Sequence, residues 1–221
     1  MFLRQALRCY AAQDYPNKEL IVVDDGATSA EPLCAGVRDL TYLRLRERTP
    51  TGAKLNLGIE ASRGSILQKI DDDDFYAPAF LSTAAARLVR ARRADAVVTW
   101  CCFVVLITGE PVLYFSGHGW MTGGTLCFHR QLWQRQRFRN IYRTSDGWFI
   151  RDARPFVARV CDPEQYLVVR HGGNTWRRIE GQPSVEGYFR RRPYDKKVRE
   201  IVGRLNGPFY EALMARPLHQ S

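Results

Sequence analysis

The chain has 221 residues, the length of one medium-sized domain, and 45% of them are hydrophobic. That composition excludes an intrinsically disordered chain, and no apolar run reaches the ~20 residues that a membrane-spanning helix needs. A net charge of +10 favours polyanionic partners such as nucleic acid, anionic membranes or phosphorylated molecules, although a basic solvated surface would give the same value. No basic-then-apolar leader is visible, so we expect a cytoplasmic protein with reduced cysteines.

The first half of the chain alternates between helical and strand patterns. In chain order, the patterns predict a helix over 2–13, strands over 19–26 and 41–45, a helix over 51–64, a strand over 65–70, a helix over 77–94 and a strand over 96–107. This alternation is typical of an α/β domain with a mostly parallel central sheet flanked by helices. Ligands bind such sheets at the carboxyl ends of the strands.

The second half is less regular. Its patterns predict a hairpin over 103–115, a glycine-rich loop over 116–126, a helix over 128–138, a short helix after Asp146, a strand over 165–176 and a basic, partly helical tail over 188–205. We find no internal repeat and no low-complexity linker. A single domain is therefore expected.

Two acidic clusters follow predicted strands, a pair at 24–25 and a run of four aspartates at 71–74. Both should lie on the same edge of the sheet. If the run is extended, Asp71 and Asp73 point to the same side, and such a pair suits Mg²⁺ or Mn²⁺ bridging to a diphosphate. The alternative is an acidic turn in which Asp73 or Asp74 caps the following helix.

Two stretches, QDYPNKELIVVDDG (13–26) and GAKLNLGIEASRGSILQKIDDDDFYAPAFL (52–81), resemble the nucleotide-sugar-binding half of the family 2 glycosyltransferases, which have the GT-A fold. The likeness covers 2–92 and continues more loosely to about residue 176. It implies one GT-A domain over 1–176, made of a nucleotide-sugar-binding half (1–100) and an acceptor half (101–176), with a basic extension over 177–221.

The resemblance also implies a role for each matching residue. A nucleotide-diphosphate sugar, of UDP type, would be bound by Asp24, Asp25, Lys54, Asn56, Asp71 and Asp72. A Mn²⁺ or Mg²⁺ ion would be held by Asp73, Asp71 and His171. Asp146 would be the general base of an inverting transfer to a hydroxyl of a saccharide, a lipid-linked or a protein acceptor, whose side is lined by Gly123, Gly124 and Thr125.

The chain departs from the family pattern in two places. Ser145 stands where the family usually has glutamate, and only Met1 precedes the first helix, where the family has an apolar first strand. Either the chain is a fragment, or its start is misassigned, or its sheet has a gap; we expect a fragment, incomplete at the N-terminus.

Other functions remain open at this stage: a catalytically impaired scaffold, a nucleotidyl transferase, or a basic nucleic-acid-binding module. The acidic clusters argue against nucleic acid as a partner because they repel phosphate. The basic tail suggests peripheral contact with anionic membrane lipid.

Overall fold

The computed structural model describes residues 1–117, 122–174 and 192–216. Its strands are β1 (Leu20–Asp24), β2 (Leu40–Arg44), β3 (Ile66–Gln68), β4 (Phe75–Tyr76), β5 (Ala96–Trp100), β6 (Cys102–Ile107), β7 (Leu113–Gly117), β8 (Cys127–His129), β9 (Phe156–Val160), β10 (Tyr166–Arg170) and β11 (Arg192–Pro193). Its helices are α1 (Phe2–Ala11), α2 (Glu31–Cys34), α3 (Thr51–Ala61), α4 (Phe80–Ala91), α5 (Arg130–Arg135), α6 (Ser145–Ala153) and α7 (Val198–Met214). None of the helices in these ranges is both long enough and apolar enough to cross a membrane.

The predicted helices and strands of the first half are confirmed, but the short elements α2 and β4 were not predicted, and one strand needs correction. The strand predicted over 96–107 is two strands, β5 and β6, which belong to different sheets. The chain changes sheet at Cys101, whose sulfur lies close to that of Cys161. Reduction of the cysteines stays a prediction. The other four cysteines are free and buried.

The strands form three sheets with mixed rather than mostly parallel pairing. One sheet has the order β3-β8-β5-β9 and another the order β11-β7-β6-β10-β4, while β1 and β2 pair only with each other. The pairs β1–β2, β5–β9 and β6–β10 are parallel, and the remaining pairs are antiparallel. The α/β class is confirmed, but the pairing of the second half could not be read from local patterns.

Alternating side chains of the strands divide the interior into layers. In β6, Phe103 and Val105 face a cluster built around α4, whereas Val104 and Leu106 face a cluster that includes α1 and α7. In β5, Val97 turns to a third cluster with residues of α3, α5 and α6. A strand that is apolar on every residue is expected when both of its faces are covered. The described part of the C-terminal segment, α7, is thus packed into the core.

A gap separates β1 from β3, as expected from the sequence. A cavity of about 600 Å³ lies between them, lined among others by Ile21 and Ile66. Leu20 donates its N–H to the Asp39 carbonyl on the β2 side. Because polar backbone groups alternate along a strand, those of Ile21 face the cavity instead. Within the described residues, no strand pairs with this edge of β1.

Candidate functional site

Several predicted site residues come together at one edge of the fold. The strands β3 and β10 deliver the acidic run and His171 to this edge, and Gly123, Gly124 and the start of α6 lie against them. Side chains far apart in the sequence contact one another there, as His171 and Asp73 do. We call this group of residues the acidic site.

The four aspartates form a turn rather than an extended segment. The prediction that Asp71 and Asp73 share one side, opposite to Asp72 and Asp74, is therefore wrong, because side chains alternate only in extended backbone. The capping alternative also fails, since no side chain caps α4. Each aspartate instead has its own environment, and Asp72 is the exposed one.

Asp74 is an interior anchor. Its side chain is buried and accepts hydrogen bonds from the Tyr166 hydroxyl (2.5 Å) and from the Val169 N–H (2.9 Å). Burial raises the pKa of Asp74 well above its usual value, and the neighbouring carboxylates of Asp73 and Asp71 raise it further. These bonds fix the end of the acidic turn to β10, so the turn and the end of β10 are held together.

Asp73 faces the residues that follow β10. Its Oδ2 lies 3.1 Å from His171 Nε2 and accepts a hydrogen bond from Asn174 Nδ2 at 2.8 Å. The Gly173 N–H donates to His171 Nδ1 at 3.1 Å and helps to orient the ring. The ring of Phe2 stacks on His171, with 4.4 Å between the centroids, and fixes its plane.

Asp71 is paired with a lysine that the sequence interpretation did not assign to the site. Lys69 Nζ lies 2.5 Å from Asp71 Oδ1, and its side chain is only 9% exposed. Burial disfavours the charge of Lys69, but the carboxylates of Asp71 and Asp146 outweigh burial and raise its pKa. Lys69 therefore places a permanent positive charge among the carboxylates of the acidic site.

Tyr76 joins the acidic turn to the glycine-rich segment. Its hydroxyl accepts the Asp71 N–H at 2.8 Å and donates to the Gly124 carbonyl at 3.0 Å. The phenol is buried beside Tyr166, with 5.3 Å between the ring centroids. Tyr76 thereby sets the spacing between the aspartates and the segment predicted to line the acceptor side.

Two adjacent glycines let carboxylates from both halves approach closely. A β-carbon on Gly123 would lie 1.4 Å from Asp146 Oδ2, so the Asp146 carboxylate packs directly on this glycine. A β-carbon on Gly124 would lie 2.8 Å from Asp71 Oδ2. Asp146 stands in the first turn of α6, where its Oδ1 accepts the Gly147 N–H at 2.8 Å. The structure thus brings Asp146 beside the acidic turn.

Two predicted site residues have their side chains in the interior instead. The Thr125 hydroxyl bonds to Thr99 and to the Trp100 N–H, at 3.0 Å each. The Asn56 side chain is buried and bonds to the backbone of Phe138 and to the Trp133 indole N–H. In this structure both side chains hold elements together, and neither is brought to the acidic site.

The side chain of Asp24 is hydrogen-bonded to the loop that follows β1. It accepts the Gly26 and Ala30 N–H groups and the Tyr42 hydroxyl, and it pairs with Arg44 at 3.0 Å. Burial opposes its charge, but these hydrogen bonds outweigh burial and lower the pKa of Asp24.

Asp25 and Lys54 form a pair next to Asp24. Lys54 Nζ lies 2.8 Å from Asp25 Oδ1, and the Thr49 N–H donates to the other oxygen at 2.9 Å. Burial works against the charge of Asp25, while Lys54 and Thr49 lower its pKa. Asp25 and Lys54, both expected on the nucleotide side, thus form a charged pair in which Lys54 is partly exposed.

The donor atoms at Asp73 fit a divalent cation in part. Asp73 Oδ2 and His171 Nε2 converge, and a carboxylate with an imidazole suits Mn²⁺. Within residues 1–117, 122–174 and 192–216, no three His, Cys, Asp or Glu side chains are grouped closely enough to hold a metal ion. Diphosphate oxygens and water normally complete such sites. The Asp71 carboxylate is already paired with a positive charge, the ammonium group of Lys69.

Sequence reasoning missed four residues that shape the acidic site: Lys69, Tyr76, Tyr166 and Asn174. Only Lys69 could have been found from the sequence. A lysine inside the apolar stretch 65–70 is expected to be paired with an acidic residue if it is buried. The contact of Tyr166 with Asp74 spans 92 positions, and that of Asn174 with Asp73 spans 101. Such pairs become visible only in the folded chain.

Comparison with known proteins now identifies relatives. Residues 2–152 match the family model described as glycosyl transferase family 2. An uncharacterized glycosyltransferase of Rickettsia typhi is 28% identical over 115 residues, which are 52% of this chain and 36% of that protein. The chain spans about a third of the length of the curated relatives it matches.

Solved structures with the same fold include two proteins in complex with nucleotide sugars. S. aureus TarS in complex with UDP-GlcNAc has a TM-score of 0.57 and 19% identity, covering 76% of this chain and 55% of that one. The mannosyltransferase PcManGT from Pyrobaculum calidifontis, in complex with GDP-Man and Mn²⁺, has a TM-score of 0.57 and 19% identity, covering 76% of this chain and 52% of that one. These likenesses confirm the GT-A fold.

Proposed function

The chain belongs to glycosyl transferase family 2, and from that premise we propose that it transfers a sugar from a nucleotide-diphosphate sugar to a hydroxyl group, with inversion at the sugar carbon. The donor is of UDP type, and the acceptor is a saccharide, a lipid-linked or a protein hydroxyl. UDP-GlcNAc and GDP-Man bound to proteins of the same fold support this class of donor.

The observation that carries the proposal is the meeting of carboxylates at two adjacent glycines. Asp146 packs on Gly123, and Asp71 lies against Gly124. An inverting transfer needs a base on the acceptor side close to the leaving diphosphate, because both ends of one in-line displacement react together. The two glycines permit this closeness, since a side chain at either position would push a carboxylate away.

Asp146 is the proposed general base. Its Oδ1 is held by the Gly147 N–H, which leaves Oδ2, on the Gly123 side, to take the proton of the acceptor hydroxyl. Lys69 adds positive charge near Asp146 and Asp71, which opposes the mutual repulsion of the carboxylates.

Asp73 and His171 would hold the divalent cation, Mn²⁺ or Mg²⁺. When bound, the ion would neutralise charge on the departing nucleoside diphosphate. Asn174 orients Asp73 through its 2.8 Å hydrogen bond, and Asp24, Asp25 and Lys54 form the proposed nucleotide side. The acidic site supports this division, in which Asp71 is held by Lys69 and Asp73 is turned to His171.

Release of nucleoside diphosphate from UDP-sugars, measured with and without Mn²⁺, tests the proposal. Asp73→Asn should weaken Mn²⁺ binding, whereas Asp146→Asn should bind Mn²⁺ and donor but turn over about 10²- to 10⁴-fold more slowly. Asp14→Asn, an exposed carboxylate outside the acidic site, is the matched control. Metal-independent turnover, unchanged in both variants, would refute the proposal. Binding of donor and Mn²⁺ without turnover by the unchanged chain would favour a scaffold.

A further inference from the structure

A basic cleft lies at the C-terminal end of α6, the end opposite to Asp146. The cleft has a volume of about 680 Å³ and is lined by Gln136, Arg139, Arg151, Asp152 and Arg154. No part of the proposed mechanism uses these residues. We call it the arginine cleft.

The arginine cleft has an excess of positive charge. Arg139 forms two hydrogen bonds with Asp152, at 2.7 and 2.8 Å, and the two charges cancel. No carboxylate within the described ranges pairs with Arg151 or Arg154, and both side chains are exposed. The carbonyls at the end of α6 contribute only about half a negative charge. Two guanidinium groups therefore remain uncompensated beside the cavity.

The backbone that carries these arginines is fixed. Arg139 packs against α3 so closely that a β-carbon on Gly52 would lie 1.8 Å from the Arg139 carbonyl oxygen. Arg154 ends α6 in the left-handed conformation, with φ 44°, and its N–H bonds to the Ile150 carbonyl at 2.9 Å. The cleft is thus built on two anchored segments rather than on a mobile loop.

An aromatic ring orients two of the guanidinium groups. Arg139 and Arg151 lie over the ring of Trp148, at 4.0 and 4.4 Å from its centroid. Stacking of this kind restricts the rotation of a guanidinium. The N–H edge of Arg139 is taken by Asp152, whereas that of Arg151 stays available for an anion. The cost of ordering the side chains when an anion binds is reduced accordingly.

We propose that the arginine cleft binds a phosphate group. A guanidinium presents parallel N–H donors that match two phosphate oxygens, and two uncompensated guanidiniums match the two charges of a phosphate dianion better than the single charge of a carboxylate. The volume admits a group larger than phosphate itself, so the phosphate can be one end of a larger molecule.

Because of where the cleft lies, we assign the bound phosphate to the acceptor molecule. This assignment rests on the proposed function. Asp146 is in the first turn of α6 and Arg154 follows its last residue, so the helix separates them by roughly 12 Å at 1.5 Å per residue. An acceptor anchored by its phosphate in the cleft would reach Asp146 with a hydroxyl about that far away.

Titration with inorganic phosphate in metal-free buffer tests the cleft itself. The NMR signal of the Trp148 indole N–H, assigned with Trp148→Phe, should shift saturably. The double variant Arg151→Gln/Arg154→Gln should bind phosphate at least about tenfold more weakly, because it loses charge-assisted hydrogen bonds. The matched control, Arg90→Gln/Arg92→Gln at the end of α4, removes the same charge elsewhere and should bind like the unchanged chain.

Vesicles distinguish a lipid phosphate from a soluble one. Co-sedimentation with phosphatidylcholine vesicles containing phosphatidic acid, lost in the cleft variant and kept in the control, would assign a lipid phosphate; binding of inorganic phosphate alone would assign a soluble one. The proposal is overturned if neither binds, or if the cleft and control variants lose binding equally. Donor hydrolysis by the unchanged chain is measured in parallel, and its absence would count against the proposed function while phosphate binding still decides the cleft.

Discussion

Replacing Gly123 with alanine tests how the base is held. The new β-carbon would lie 1.4 Å from Asp146 Oδ2, while ordinary contact begins near 3.4 Å, so the carboxylate must retreat by about 2 Å. A base displaced by that distance leaves hydrogen-bond reach of the acceptor hydroxyl. We therefore expect turnover to fall by about 10²- to 10⁴-fold, as in Asp146→Asn, with the affinity for Mn²⁺ nearly unchanged.

The assay is the initial rate of nucleoside diphosphate release, with Mn²⁺ affinity and the melting temperature measured on the same samples. The control is Gly147→Ala, one residue beyond Asp146, where an added β-carbon meets nothing within 4 Å. Because alanine favours a helix over glycine, this variant should be more stable by about 0.5–1 kcal/mol and should turn over normally. If Gly123→Ala melts like the unchanged chain and turns over at its rate while Asp146→Asn does not, the contact between Gly123 and Asp146 is irrelevant to the base.

Three further outcomes are expected. Burial raises the pKa of Asp74 in the folded chain, so stability should fall as the pH rises from the unfolded value of ~3.9 through the folded pKa; Asp74→Asn should flatten this part of a urea-denaturation series against pH. Asn174→Ala, which frees Asp73, should weaken Mn²⁺ binding by about 10- to 100-fold in calorimetry, and unchanged binding would contradict the orienting role. The Ile21 amide faces the cavity, so it should exchange hydrogen at least about a hundredfold faster than that of Val97 in the centre of its sheet.

Local patterns predicted the first half well because each of its helices and strands can be recognised from a short stretch of sequence. The β-branched run before Asp24 could only be a strand, and the regular apolar spacing in 77–94 could only be a helix. Both acidic clusters follow predicted strands in the sequence, so the order of residues alone was enough to place them at the carboxyl ends of those strands. That step was sufficient to point to the edge of the fold where the carboxylates of the acidic site meet.

Long-range pairing set the limit of prediction. The apolar run over 96–107 has no glycine, proline or other turn residue at Cys101, yet the chain changes sheet there. The strand β5 pairs with β8 and β9, whereas β6 pairs with β7 and β10. Asn56 looked like a ligand-binding residue on a helix, and the fold uses it to join α3 to the segment at Phe138. Neither fact is encoded in the spacing of nearby residues.

The acidic run shows how one repeated residue acquires four roles. Asp74 is buried against Tyr166 and anchors the turn, Asp71 is held by Lys69, Asp73 faces His171, and Asp72 is exposed. Four adjacent carboxylates repel one another, and a single cation could not compensate four charges at once. The fold instead separates them, since one is buried with hydrogen-bond donors and one is paired with a lysine. Asp73 is left beside an imidazole, and it is the carboxylate that we propose as the ligand of a metal ion.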